Sequence, residues 1–278
     1  MDLSNIQAAV NKIKELIERA IVDGGVDAKN NLIKTQIPIC LLHDVVKIDF
    51  IKNHVNANLI FPKYGEHNGE LKLAGFFKYK DQDVCLTPNN VKHKSEILNF
   101  DGILKGKTDI YGSELTERIL SVNVRSQLSS TAKNFDTLYE RTFAEALNLH
   151  LRSPKMVLGE FYMIPVWEYD DILAKTQRIG FKRNSNIQKH IQKYIYSFNA
   201  LNNRKVLQGE EYKYERVCLL IVDFSKPQPY IYNTDEELKR DGLLPLNTTA
   251  SINYMNYPTF ISTLLDIYKE RFGEGKFK

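Results

Sequence analysis

The run from Ile119 to Val166 constrains this chain more than any other feature. ILSVNVRSQ alternates apolar and polar residues, FDTLYERTFAEALNLH repeats at helical spacing, and MVLGEFYMIPV is a long apolar run rich in β-formers. A strand, a helix over 136–151 and a second strand, in that order, predict a crossover onto a central sheet. Alternation sets Ser121, Asn123, Arg125 and Gln127 on one face of the first strand and Val122, Val124 and Leu128 largely on the other. A half-solvated surface strand gives the same pattern, so any chemistry on the polar face needs support from its neighbours.

The flanking sequence extends this α/β reading. Residues 4–22 carry Ile6, Val10, Ile13, Ile17 and Ile21 on one helical face, with Ser4 as cap and Gly24-Gly25 as stop. A second helix is expected over 44–57, strands in LKLAGFFKYKDQDVCLTP, and no clear element in DGILKGKTDIYGSELTER. NIQKHIQKYIYSFNAL reads as a basic amphipathic helix, RVCLLIVDF as a buried strand, PYIYN as an edge strand and PTFISTLLDIYKERFG as a closing helix. The expected fold is a mixed central β-sheet flanked by helices. A helical segment over 1–60 packs on a core over 61–278, the two forming one continuous domain.

Composition narrows the class. The 278 residues are 43% hydrophobic, enough for a large core, yet hold no unbroken apolar stretch of membrane-spanning length. The N-terminal stretch mixes charge into its apolar face, unlike a secretory signal, and the expectation is a cytoplasmic protein without a membrane partner. Cys40, Cys85 and Cys218 lack metal-ligand spacing and read as reduced core thiols. The net charge of +4 is unevenly spread: from Ile172 to Gly209 the chain carries Lys175, Arg178, Lys182, Arg183, Lys189, Lys193, Arg204 and Lys205 without one acid. A solvated helix face gives such a run, but with the interspersed Asn184 and Asn186, which can read base edges, it also suits DNA contact.

Asp83 opens the apolar strand upstream of the Asn123–Arg125 pair. Oxygen ligands that fix Mg²⁺ beside a phosphate, together with a cation that takes up developing charge, are what metal-dependent phosphodiester hydrolysis requires. Asp83, Asn123 and Arg125 supply those group types.

LAGFF at Leu73–Phe77, Asp83 in QDVCL, VNVRSQ at Val122–Gln127, KN at Lys133-Asn134, ERTFAEAL at Glu140–Leu147 and MVLGEFYMIPV from Met156 resemble, in order and spacing, the XhoI-type family of type II restriction endonucleases. That family belongs to the PD-(D/E)xK nuclease class. The resemblance implies a restriction-endonuclease-like fold and Mg²⁺ as cofactor. It makes Asp83 the first metal ligand, puts Asn123 where the family has its second acid, and puts Arg125 where it has lysine. Asn keeps one neutral carbonyl oxygen, and Arg keeps the charge but cannot act as a base near neutral pH.

A further acid is then expected from nearby. Glu145 is first choice because the family's helix resembles this one there, ahead of Glu117, Glu140, Asp101 and Asp109; His150 and His190 are expected in structural or phosphate-contact roles. Gln127, Lys182, Arg183, Asn184, Asn186, Lys189 and Lys193 are the expected DNA contacts. The activity implied is site-specific cleavage of double-stranded DNA by a homodimer working alongside a methyltransferase of the same specificity. The alternative is a nuclease-fold protein that binds DNA without cutting it; a structural or protein-interaction domain explains the basic run poorly.

Overall fold

The structure, a computed structural model, describes residues 4–278. Helix α1 (Ile6–Lys34) is capped by Asn5, not Ser4: the Asn5 side chain accepts from Ala8 N at 2.9 Å. Gly24 and Gly25 leave helical geometry, but the helix resumes, so the pair makes a kink where a stop was expected. The kink brings Gly25 against the Ala174 carbonyl, where an added Cβ would sit 2.9 Å from that oxygen. Helix α2 (Ile37–Lys52) begins well before the expected residue 44, with Pro38 in its first turn, where a missing N–H costs nothing.

Next come β1 (Ile60–Phe61), β2 (Leu71–Ala74), β3 (Tyr79–Gln82) and β4 (Val84–Leu86). The ambiguous stretch forms β6 (Thr108–Asp109), paired with β5 (Glu96–Ile97), and then α3 (Gly112–Thr116). The opening motif folds as β7 (Leu120–Ser126), α4 (Phe135–His150) and β8 (Val157–Pro165). The rest is β9 (Glu168–Tyr169), α5 (Asp171–Ala174), β10 (Phe181–Lys182), α6 (Ile187–Leu201), β11 (Arg216–Asp223), β12 (Tyr230–Tyr232), α7 (Asp235–Arg240) and α8 (Phe260–Phe272).

The chain is α/β, with helices on a mixed central sheet of order β1-β4-β7-β8-β11-β12. β4 runs antiparallel to β7, β7 and β8 are parallel, β8 and β11 are parallel, and β12 closes one edge antiparallel to β11. On one face Val122, Phe161 and Leu220 pack with residues of α1, α2 and α8; on the other Leu158, Tyr162 and Leu219 pack with α4 and α6. Every residue of β8 and β11 is buried, which is why both read as unbroken apolar runs. Gly159 lets α8 approach, since a Cβ there would lie 2.7 Å from Leu264 Cδ1.

Covered faces also overturn the surface-strand reading of β7. Ser121 and Asn123 are 1% and 2% exposed, so the polar face lies under the α4–α6 layer. Cys85 and Cys218 are buried thiols, whereas Cys40 is half-buried. Among the described residues no helix is long and apolar enough to cross a membrane.

A buried ionic node ties this layer to β8, β11 and α8. Glu215, the residue before β11, accepts from Leu158 N at 2.7 Å, Arg204 at 3.2 Å and Arg271 at 2.8 Å, with His150 Nε2 at 3.4 Å. Burial alone would raise its pKa, but His150, Arg271 and the Leu158 N–H outweigh burial and bring it down to about 2 from 4.5. A carboxylate with a depressed folded-state pKa stabilises the fold above its unfolded value and loses that contribution as pH falls through the folded one. Glu215→Gln is expected to cost about 3–5 kcal/mol at neutral pH by stranding buried arginine charge. Urea titrations should also show a shallower loss of stability in the variant between pH 4.5 and 2.

Candidate active site

Sheet register builds the site. Val84 pairs with Val122 and Asn123 with Glu160, so Asp83, one residue ahead of β4, falls beside Asn123. Three oxygen-bearing side chains thus stand in a row across three adjacent strands, at strand spacings of roughly 4.8 Å. Asp83 is tied down at one oxygen, where Oδ2 accepts from Val124 N at 2.7 Å. Asn123 Oδ1 and Glu160 Oε2 are buried and have no hydrogen-bond partner among the described residues.

Arg125 lies two residues further along β7. Its Nε donates to Glu160 Oε1 at 2.8 Å, and its Nη2 pairs with Glu145 Oε2 of α4. The other Glu145 oxygen forms an ion pair with Lys80 Nζ of β3 at 3.1 Å. Glu145 reaches the sheet because Thr142, Glu145, Ala146 and Leu149 form the buried stripe of α4.

Enclosure governs the charges. Burial raises the Asp83 pKa against the opposing pull of the Val124 N–H, Lys80 and Arg125. Glu160 is wholly buried and is pushed up to about 7, with Arg125 resisting the shift. Burial works against the Arg125 charge too, but Glu160 and Glu145 outweigh it and hold the guanidinium above its usual range. Arg125 is therefore a permanent cation that neutralises charge and relays no proton. The Asn123 side chain lies against the Tyr214 hydroxyl, which donates to Thr142 O at 2.9 Å.

The structure thus gathers Asp83, Asn123, Arg125 and Glu145, and adds Glu160 and Lys80, which the sequence reading missed. A single acid inside the apolar run MVLGEFYMIPV was the available signal for Glu160, since unpaired Glu is seldom fully buried. Lys80 gave none, being with Lys72 and Lys78 one of the lysines in the β2–β3 hairpin. Of the other acids, Glu117 ends α3, Glu140 is exposed, Asp101 pairs with Lys105 at 2.6 Å and Asp109 with Arg152 at 2.6 Å. Among the described residues no group of three or more His, Cys, Asp and Glu side chains is placed to share a metal ion; the row offers two carboxylates and one amide.

The expected DNA contacts divide. Lys182, Arg183 and Asn184 line a cleft of about 300 Å³ with Thr131, Glu168 and His190, beside the turn that follows β7. Arg183 stacks on Trp167 at 4.6 Å, Lys189 is exposed, and the exposed Asn186 leads into α6. Lys193 is partly engaged, pairing with Asp136 at 2.9 Å over the Phe135 ring. Arg204, from the same basic run, is buried in the Glu215 node. His150 is structural, with ring nitrogens 3.0 Å from Glu211 O and 3.2 Å from Met156 O.

Gln127 is the clear departure from expectation. It is buried, its amide donates to Ser130 O and Thr131 O, and its Oε1 accepts from the Tyr162 and Tyr194 hydroxyls, each at 2.7 Å. No edge is left for a base.

No family model, curated protein or solved structure matches the chain.

Gln127→Ala is expected to destabilise the fold by about 1–3 kcal/mol, the cost of stranding buried polar partners. DNA affinity of the folded variant should equal the parent's, and a fall in affinity at unchanged urea midpoint would restore Gln127 as a DNA-reading residue.

Proposed function

We propose that the protein is a Mg²⁺-dependent endonuclease that hydrolyses both strands of double-stranded DNA at a short specific sequence, as a type II restriction endonuclease does. The observation that carries this reading is the juxtaposition of Asp83 with the Asn123–Arg125 pair on adjacent strands, with a buried Asn123 oxygen left unpartnered. Hard oxygen donors of that kind suit Mg²⁺, and Asp83 and Asn123 would hold it. When bound there, the ion would polarise the scissile phosphate and lower the pKa of water. Asp83 is held in place by Val124 N, and Arg125 is a fixed cation for the charge that develops on phosphate oxygens. The antiparallel pair β4–β7, followed by the α4 crossover to parallel β8, supports the restriction-endonuclease-like sheet implied by the sequence resemblance.

The cleft lined by Lys182, Arg183 and Asn184, with exposed Lys189, supports DNA as partner. A palindromic site would be matched by a homodimer, and a methyltransferase of the same specificity would protect host DNA. The second reading, binding without cutting, is favoured by one observation: the Arg125 guanidinium already pairs with both Glu145 and Glu160.

Incubation with phage DNA and Mg²⁺ separates the two. Discrete fragments support the enzyme; intact DNA with a retained gel shift supports the binder. Asp83→Ala is expected to abolish cutting while leaving specific binding in Ca²⁺ intact. Arg125→Ala should lose at least ~10²-fold in rate, as when one preorganised charge-stabilising group is removed. If both variants cut like the parent, the row is not the active site.

Neutralising Lys182, Arg183 and Lys189 together should weaken DNA binding and flatten its salt dependence. The slope of log affinity against log salt should fall by about 0.9 for each phosphate that the variant no longer neutralises. An unchanged slope would make the cleft an ordinary solvated surface.

A further inference from the structure

We propose that Glu160 completes the cation site, its free oxygen joining those of Asp83 and Asn123 as the second carboxylate ligand. This inference rests on the metal-dependent reading above and extends it to a residue outside the Asp83, Asn-x-Arg pattern.

Position comes first. Glu160 is the β8 partner of Asn123, so the acid absent from residue 123 stands one strand over, roughly 4.8 Å away, on the same sheet face. Free valence comes second. Arg125 engages only Glu160 Oε1, and Oε2 is left buried without a partner beside the equally unpartnered Asn123 Oδ1. Two buried oxygen acceptors on register-paired residues, neither with a donor, are unusual, because buried polar groups are nearly always satisfied.

Charge is the third argument. A simple counter-ion role for Glu160 is weakened because Arg125 already pairs with Glu145, which Lys80 also contacts. The enclosed cluster sets three carboxyl groups, Asp83, Glu145 and Glu160, against two cations, Arg125 and Lys80, an excess of one acid. A divalent cation held by one or two carboxylates fits that excess, whereas Asp83 and a neutral amide alone provide one negative ligand.

The test is Mn²⁺ binding, read from the electron paramagnetic resonance of free Mn²⁺ at fixed pH, in the full chain without DNA. Glu160→Gln is expected to raise the Mn²⁺ dissociation constant at least ~10-fold, since even residues that only support a metal ligand cost that much. Glu145→Gln removes an equal charge from the cluster but no oxygen from the row, and should weaken binding clearly less. If Glu160→Gln fails to fold, Glu160→Asp, which keeps the charge facing Arg125, is judged by the same comparison. Unchanged Mn²⁺ affinity in the Glu160 variant, or equal weakening by Glu145→Gln, overturns the inference while leaving the metal-dependent reading standing. Failure of the parent itself to take up Mn²⁺ overturns that reading, and this inference with it.

Discussion

The interaction on which the candidate site depends is the pairing of Arg125 with Glu145 and Glu160. Either acid alone would carry a heavy desolvation cost beneath the helix layer, and so would an unpaired guanidinium. Joined, they fasten β7 to its parallel neighbour β8 and to α4, the helix that connects the two strands. The connection is thereby locked at its middle by charge as well as at its ends by chain continuity. Lys80 brings the β2–β3 hairpin into the same cluster.

That cluster is possible because the sheet has two unlike faces. Toward α1, α2 and α8 it is apolar except at strand ends such as Ser126 and Arg216, and dispersion and apolar burial hold the layers together. Toward α4 and α6 the apolar packing is interrupted along β7 by Ser121, Asn123, Arg125 and Gln127, each answered differently. Ser121 donates to Gln82, Arg125 meets two acids, and Gln127 gathers two tyrosine hydroxyls. Only Asn123 keeps a buried oxygen unanswered, and it stands beside Glu160, which does the same. Buried polar atoms without a partner occur elsewhere in the molecule too, but here two oxygens on register-paired residues share the condition, and a ligand that answers both gains from it.

Much of the scaffold was legible because periodicity is a local property. The β7–α4–β8 succession, the basic helix α6, the buried β11, the edge strand β12 and the closing α8 all follow from spacing and composition within a few residues. The α1 kink was less legible, because two glycines look like a stop unless the packing beyond them is known. In the structure Val26, Leu32 and Ile33 bury against the core and Lys29 pairs with Asp171, which together favour resuming the helix.

By itself the sequence determined the α/β class, the polar face of β7 with Asp83, Asn123 and Arg125, and the acid-free basic run. Each of these is a pattern of residue types along the chain. Tertiary structure alone decided what those residues meet. It turned Gln127 inward and took Arg204 into a buried node, although both read as surface groups in the sequence. It also set Glu160 beside Asn123, through a strand register that spans 37 positions of chain and that no local pattern encodes. The reason is physical: periodicity and conformational propensity are properties of neighbours in sequence, whereas the answer to a buried charge comes from whichever strand or helix the packing brings alongside.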